Sequence, residues 1–169
     1  MPLMIINKTT DNFGNLIPMD KIQLGEFIKS ITSDLEIKEG KQYLEVTVPP
    51  SVLHTLAKQL REKKEAQFDF LFCLSGVDYG SDLGVVYHLR STLYDHVVVL
   101  KTRTSDREHP QLDSVTDIWQ TAEFHEREVF DLLGIRFKNH PDLRRLLLDN
   151  SWGFPLRKDY VDDINIVYK

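Results

Sequence analysis

Apolar residues at helical spacing predict three helices along the chain. They cover residues 18–32, 51–65 and 122–133, where apolar side chains recur every three or four positions. Gly134 follows the third segment directly, and glycine is favoured just beyond a helix end because it readily adopts the left-handed conformation. Thr121 precedes the same segment and is predicted to cap its first turn.

Alternating or continuous apolar stretches predict four strands and a short β-like tail. The strands cover residues 43–48, 68–74, 84–91 and 96–102, and the tail covers residues 164–168. The links between the last three strands are too short for crossover connections, so these strands are expected to be antiparallel neighbours.

The order of the elements predicts an α+β fold: a mixed, mostly antiparallel sheet with helices packed on one face. Residues 103–113 are polar without a period and are predicted to form a loop. Ser114 is predicted to cap a short helical turn through Trp119. The segment after Gly134 is irregular and rich in arginine. We expect a single domain over residues 1–169.

The same spacings predict which side chains form the hydrophobic core. They are Leu44, Val46, Val48, Leu53, Leu56, Phe70, Phe72, Val86, Tyr87, Val97, Val99, Phe130 and Leu133.

Composition excludes several classes of function. Hydrophobic residues make up 41% and charged residues 28%, with a net charge of −5, which argues against general nucleic-acid binding because phosphate contacts need a basic surface. Cys73 is the only cysteine, so the chain cannot supply the thiolates of an iron–sulfur cluster or a structural zinc site. A lone thiol also fits a reducing compartment.

The apolar runs are too short for a membrane span. None approaches the roughly 18 residues needed to cross a bilayer, and the segment Met1–Asn7 lacks the basic start of a signal peptide. We expect any membrane association to come through a partner.

Basic residues are concentrated near the C-terminus. Residues 136–158 hold six basic and two acidic side chains, a local charge of +4, with leucines, Trp152 and Phe154 among them. Arginines mixed with apolar anchors are typical of a protein interface. An arginine cluster could also hold a phosphate group, or its arginines could pair internally with carboxylates of the third helix.

The third helix carries several charged side chains. Glu123, Arg127 and Asp131 are spaced i, i+4, i+8, which predicts a ladder of alternating charge that stabilises the helix or meets a partner. Glu126 and Glu128 are two positions apart, so they point about 160° away from each other and cannot act on one substrate atom.

One spacing is compatible with metal binding. His125 and Glu128 are three positions apart on the helix, and a metal-dependent hydrolase would use them with His140. A single pair supplies too few ligands for a di-metal carboxylate site. The glycines at positions 76, 80 and 84 lack the spacing and the lysine of a phosphate-binding loop, so they are interpreted as turn residues.

Three blocks in the last third of the chain carry a resemblance to a known family. They are Glu-Arg-Glu-Val-Phe-Asp-Leu-Leu-Gly-Ile at residues 126–135, His-Pro-Asp-Leu-Arg-Arg-Leu-Leu at 140–147 and Pro-Leu-Arg-Lys-Asp-Tyr at 155–160. In order and spacing, the segment 123–160 is similar to the signature of the C (30-kilodalton) subunit of respiratory complex I, NADH–quinone oxidoreductase.

The resemblance implies a structural subunit without catalytic, cofactor-binding or metal-binding residues of its own. The flavin and iron–sulfur clusters are expected in partner subunits of an enzyme that couples NADH oxidation by quinone to proton translocation. The implied partners are the hydrogenase-like large subunit and the cluster-bearing small subunits, in the hydrophilic arm at the cytoplasmic face of the inner membrane. The alternatives are the equivalent subunit of a membrane-bound hydrogenase, or of another quinone- or ferredoxin-linked dehydrogenase.

The resemblance also implies which residues organise the C-terminal third and its docking surface. They are Glu126, Arg127, Glu128, Asp131, His140, Asp142, Arg144, Arg145, Trp152, Arg157, Lys158 and Asp159. If Arg144 and Arg145 both serve docking, reversing both charges should leave the melting temperature within a few degrees and reduce recovery of the large subunit. If they pair internally instead, the same change should unfold the chain early.

Overall fold

The computed structural model describes residues 18–33 and 35–161, which form three helices and seven strands. The helices are α1 (Lys21–Ile31), α2 (Pro50–Glu62) and α3 (Ala122–Leu133). The strands are β1 (Glu36–Glu39), β2 (Leu44–Thr47), β3 (Phe70–Asp78), β4 (Leu83–Arg90), β5 (Val97–Thr104), β6 (Gln111–Asp113) and β7 (Arg136–Lys138). No helix among these residues is long and apolar enough to cross a membrane.

Five strands form the main sheet, in the order β1-β2-β5-β4-β3. Only β2 and β5 pair in parallel within it, and the other neighbours are antiparallel, including β3–β4 and β4–β5. This confirms the predicted α+β fold and its mostly antiparallel sheet. The short strands β6 and β7 form a separate parallel pair.

The first two helices begin at residues that differ from the prediction. Asp20 caps α1 in a capping box with Gln23, so the helix starts after Asp20 rather than at Pro18. Ile22, expected in the buried stripe, is exposed. Pro50 opens α2, where proline loses no helical hydrogen bond, and α2 ends at Glu62 because Lys63 is extended.

The bounds of α3 agree with the prediction. Gly134 ends it in the left-handed conformation, with φ of 74°. The predicted cap at Thr121 is wrong, because this residue has helical dihedral angles and makes no capping bond. Its hydroxyl instead donates to the carbonyl of Leu71 in β3, at 3.2 Å.

All three helices bury side chains in the same hydrophobic cluster as the strands of the main sheet. On α3, Val129 and Leu133 pack at Gly76 of β3, where an added Cβ would lie 2.4 Å from Leu133 and 2.9 Å from Val129. Glycine at this position therefore sets how closely α3 approaches the strand.

The predicted core is right for β2 and α2 and partly wrong for the later strands. Leu44, Val46, Val48, Leu53, Leu56, Tyr87, Val99 and Leu133 are buried. Phe72, Val86, Val97 and Phe130 are only partly buried, and Phe70 is 44% exposed.

A β-bulge explains the error in β3. The register shifts between Leu71 and Cys73, so Leu71 and Leu74 both face the core although they are three positions apart. A run of apolar residues contains no alternation that would reveal such an extra residue.

Three short strands were not predicted. β1 is charged, and β6 and β7 have three residues each; β6 lies inside the segment 103–113 that was predicted to be a loop. The turn after Ser114 is confirmed, because the amide of Thr116 donates to the Ser114 hydroxyl. The predicted tail at 164–168 lies outside the described residues.

Candidate functional site

Helix α3 carries three buried charged side chains: Glu126, Arg127 and Asp131. Burial of unpaired charges is costly, so each must have specific partners. Glu128, also predicted to be a site residue, is exposed. The opposite orientation of Glu126 and Glu128 is confirmed.

Asp131 holds the start of the irregular segment. One carboxylate oxygen accepts hydrogen bonds from the amides of Leu146, Leu147 and Leu148, at 3.1, 2.6 and 3.0 Å. The other accepts from Nη1 of Arg145 at 3.0 Å. Burial acts to raise the pKa of Asp131, but these donors outweigh it, and the pKa lies below its ordinary value.

Arg145 connects α3 to the following turn. Its guanidinium donates to the carbonyls of Asp131, Trp152 and Gly153 and lies 5.2 Å from the centre of the Phe154 ring. The side chain is 16% exposed. Arg145 is therefore an internal structural residue.

Arg127 fixes the same segment from a second position on α3. It donates to the carbonyls of Arg144 and Arg145, at 3.3 and 3.1 Å. The predicted ladder of Glu123, Arg127 and Asp131 is wrong, because Arg127 binds carbonyl groups and Asp131 pairs with Arg145.

Glu126 points the other way, into the core. Its carboxylate accepts from the Ser114 hydroxyl at 2.7 Å and the Val115 amide at 2.8 Å, so it fixes the turn between β6 and α3. Burial raises the pKa of Glu126 to about 7, although the Val115 amide and the Ser114 hydroxyl oppose this shift. Glu126 does not belong to the exposed surface.

A second anchor joins the chain after Trp152 to the end of β3. Asp78 accepts two bonds from Arg107, at 2.8 and 2.9 Å, and one from the amide of Lys158 at 2.8 Å. Arg107 also pairs with Asp159 at 2.9 Å. The bonds from Arg107 hold the pKa of Asp78 well below its usual range.

Arg157 strengthens this anchor. It donates to the carbonyls of Leu133 and Arg107, at 2.6 and 2.9 Å, and lies 4.8 Å from the centre of the Phe154 ring. The sequence pattern indicated Arg157, Lys158 and Asp159 but not Asp78 or Arg107. Aspartate near glycines was interpreted as turn chemistry, and Arg107 lies in a polar segment without a pattern.

The remaining predicted residues lie nearer the surface. Arg144 is 65% exposed and pairs with Asp142 at 2.8 Å, and Trp152 is half-buried. His140 donates from Nε2 to the carbonyl of Glu123 and accepts the amide of Asp142 at Nδ1, at 3.0 Å each.

These contacts bear on the metal-site and phosphate-site alternatives. His140 uses both ring nitrogens inside the fold, and residues 18–33 and 35–161 contain no group of three His, Cys, Asp or Glu side chains suited to a metal ion. Arg127, Arg145 and Arg157 direct their donors to carbonyl groups, while Arg144 pairs with an exposed carboxylate. The arginines therefore do not converge on an anion site.

Large apolar side chains are exposed on α3 and in the C-terminal third, where Arg144 is exposed as well. Phe124 on α3, and Leu147 and Leu156 on the irregular segment, are all exposed, and the Arg127 guanidinium lies 5.6 Å from the centre of the Phe124 ring. We call Phe124, Arg144, Leu147 and Leu156 the C-terminal surface. Phe124 was not among the predicted site residues, although its position outside the buried stripe of α3 was a usable signal.

Comparison with known proteins identifies relatives over most of the chain. A family described as the 30 Kd subunit of respiratory-chain NADH dehydrogenase matches residues 46–163. The C subunit of the NADH-quinone oxidoreductase of Moorella thermoacetica is 40% identical over 136 residues, which cover 79% of this chain and 90% of that protein.

Other relatives are much longer than this chain. The C/D subunit of the NADH-quinone oxidoreductase of Phocaeicola vulgatus is 51% identical over 122 residues, covering 71% of this chain but only 23% of that protein. The C/D subunit of Bacteroides thetaiotaomicron is 48% identical, with the same 23% covered. The chain thus spans about a quarter of these relatives.

A solved structure shares the fold. A chain of the membrane-bound sulfane sulfur reductase, an archaeal respiratory membrane complex, matches with a TM-score of 0.72 and 24% identity, covering 85% of this chain and 86% of that chain. The family match includes the whole segment 123–160, where the resemblance was found. The resemblance is confirmed: this chain belongs to the family of the 30 Kd subunit of respiratory-chain NADH dehydrogenase.

Proposed function

We propose that this chain is a non-catalytic structural subunit of a proton-translocating NADH–quinone oxidoreductase. The observation that carries the proposal is its similarity to the C subunit of Moorella thermoacetica, of which it covers 90%. The chain supports electron transfer from NADH to quinone by positioning other subunits, and it holds no cofactor itself. Its single cysteine and the internal use of its buried charges support this role.

The chief partner in this proposal is the hydrogenase-like large subunit, with the cluster-bearing small subunits nearby. Relatives that carry the double designation C/D support a close neighbour, because their name assigns two subunits to one polypeptide. The assembly lies in the hydrophilic arm, at the cytoplasmic face of the inner membrane, and this chain reaches the membrane only through the complex.

The C-terminal surface is the docking site in this proposal. Asp131, Arg145, Asp78 and Arg107 fix the irregular backbone from inside, so the surface is rigid before a partner binds. A preorganised surface loses less conformational entropy on binding. Exposed apolar side chains and an exposed arginine are among the residue types expected at an interface centre.

The test is affinity purification of the tagged full-length chain from its native cell. We expect the unmodified chain to recover the large subunit and a complex that reduces quinone with NADH. Arg144→Glu should reduce this recovery at least about tenfold, as expected when an interface charge is reversed. Lys38→Glu is the matched control, because Lys38 also forms an exposed pair, with Glu36, and lies on β1 at the edge of the sheet opposite β3.

Two results would contradict the proposal. If the chain recovers no large subunit, it is not part of this assembly. If it recovers a complex that oxidises ferredoxin or hydrogen but not NADH, the alternative dehydrogenase or hydrogenase assignment is correct. The fold alone does not decide between these, since a sulfane sulfur reductase complex shares it.

A further inference from the structure

The irregular segment that follows β7, residues 139–161, forms no helix or strand. The structure describes all of these residues, and none of them is fully buried, whereas half of the residues of α3 are. One apolar side chain of the segment, Leu143, packs against the core cluster. Burial of apolar surface is the main source of stability in a folded chain, so the hydrophobic core contributes little to holding this segment in place.

Polar contacts with the end of α3 hold the irregular segment instead. The last carbonyl groups of an α-helix have no partner within the helix. Three such carbonyls of α3 accept hydrogen bonds from the segment: Asp131 from Arg145, Leu132 from the amide of Leu156, and Leu133 from Arg157. The segment therefore completes the C-terminus of the helix, with two guanidinium groups at the negative end of the helix dipole.

The anchors of the irregular segment are connected to one another. The centre of the Phe154 ring is 5.2 Å from the guanidinium of Arg145 and 4.8 Å from that of Arg157. Arg145 also donates to two carbonyls of the turn just before this ring. Arg157 donates to the carbonyl of Arg107, whose side chain pairs with Asp78. Loss of one anchor therefore removes or displaces a partner of another, which makes the contacts cooperative.

We infer that the irregular segment opens from the chain as one unit while α1, α2 and the main sheet stay folded. Opening releases the conformational entropy of the whole segment and breaks few apolar contacts, so it requires less free energy than unfolding of the core. The anchors keep the closed state dominant. Arg144, Leu147 and Leu156 of the C-terminal surface lie on the segment, so that surface is complete only while the segment is closed. The inference goes beyond the proposed function, because it concerns the chain itself and holds for any partner.

The test is native-state hydrogen exchange of the isolated chain at urea concentrations below its unfolding transition. Amides that exchange through one common opening share one opening free energy, whatever group each of them binds. The reporters are three amides of the irregular segment: Leu147, bound to Asp131; Leu156, bound to Leu132; and Lys158, bound to Asp78. We expect their protection factors to agree within about threefold and to lie at least about a hundredfold below those of β4, which is paired with a strand on both sides.

Two variants separate opening of the segment from unfolding of the whole chain. Arg107→Ala breaks the anchor near Lys158. It should lower the protection of Leu147 by the same factor as that of Lys158, at least about tenfold, although the Leu147 amide binds Asp131. Val46→Ala removes core methyl groups on β2, which stay buried when the segment opens. This change should lower the protection of β4 at least about tenfold and alter that of the segment by less than about twofold.

Every outcome supports or overturns the inference. Protection of the segment equal to that of β4 would mean that it unfolds only with the core, and this comparison needs no variant. Faster exchange of Lys158 alone in Arg107→Ala would show that the anchors open separately. Equal effects of Val46→Ala on the segment and on β4 would also overturn the inference. All of these measurements use the isolated chain, so recovery of the large subunit from the native cell tests the proposed function independently.

Discussion

Asp131 and Arg145 form an internal ion pair that holds the irregular segment on α3, with Nη1 of Arg145 3.0 Å from Oδ1 of Asp131. The adjacent Arg144 is exposed, and its one ion pair among the described residues is with Asp142. Two neighbouring arginines in the signature segment thus have different roles. The docking interpretation, which treated them together, is wrong for Arg145 and remains a prediction for Arg144.

We therefore expect the single charge reversals to differ in stability. Arg145→Glu places a carboxylate beside buried Asp131 and should lower the free energy of unfolding by about 3 kcal/mol or more. For a chain of this size, that loss lowers the melting temperature by roughly 6–12 °C. Arg144→Glu should change the free energy of unfolding by less than about 1 kcal/mol. Thermal melting of both variants tests this, and equal melting temperatures would refute separate roles.

The raised pKa of Glu126 should make the free energy of unfolding depend on pH. Its pKa is raised in the folded chain, to about 7 from 4.5. A raised pKa means that the folded state binds the proton more tightly, so the stabilisation is complete below pH 4.5 and is lost as pH rises through 7. The loss amounts to roughly 3 kcal/mol across this window.

The variant Glu126→Gln isolates this contribution. His88 and His96 have pKa values lowered by burial, so their contribution changes in the opposite direction and partly masks that of Glu126. Because the histidines are common to both proteins, the difference in unfolding free energy between variant and unmodified chain should report Glu126 alone. Urea titrations at pH 5 and pH 8 should show the variant gaining relative stability at pH 8. A difference independent of pH would contradict the raised pKa.

The sequence predicted elements whose determinants are local. The bounds of α3 follow from apolar spacing and from Gly134, which adopts the left-handed conformation that the prediction assumed. The sequence did not show which side chains of β3 face the core, because the bulge between Leu71 and Cys73 leaves no mark in a continuous apolar run. The pairing of β6 with β7 joins two three-residue strands across more than twenty positions, which local periodicity cannot reveal.

The candidate site was predictable only in part, because its contacts are made with backbone groups or between residues far apart in the sequence. The resemblance identified Asp131, Arg145 and Arg157 as important residues, but their partners are mostly backbone groups. Asp131 binds three consecutive amides, and no residue type marks an amide as a partner. Asp78 and Arg107 are 29 positions apart in the sequence, so only the folded sheet shows that they meet.

The ion pair of Asp78 and Arg107 is expected to stabilise the fold and to hold the segment around Lys158 in place. Arg107→Ala would leave the buried Asp78 carboxylate with only amide donors, and should lower the free energy of unfolding by about 2–3 kcal/mol. The amide of Lys158 should exchange faster with solvent, since the carboxylate that binds it is no longer fixed. Arg90→Ala, which breaks an exposed pair, is the control and should change stability by less than about 1 kcal/mol. Equal losses would show that the anchor at Asp78 contributes little.

Alanine substitutions at two glycines should change the free energy of unfolding in opposite directions. At Gly76, an added methyl group would lie too close to Cδ1 of Leu133 and Cγ1 of Val129, so Gly76→Ala must displace these side chains or the helix that carries them. Overpacking of this kind costs about 1–3 kcal/mol. At Gly25 in α1, the methyl group would meet Ile37 and Leu44 at 3.8 Å each, an ordinary contact. Gly25→Ala should therefore stabilise the chain by about 0.5–1 kcal/mol, because alanine loses less backbone entropy in a helix.

Urea unfolding of Gly76→Ala and Gly25→Ala measures whether each variant loses or gains free energy of unfolding. The change at Gly76 should be relieved in the double variant Gly76→Ala, Leu133→Ala, which removes the side chain nearest to the added methyl group. If the clash is the cause, the double variant loses less free energy than the sum of the two single changes, as expected for residues in contact. Additive losses would mean that Gly76 acts through the strand backbone rather than through its contact with α3.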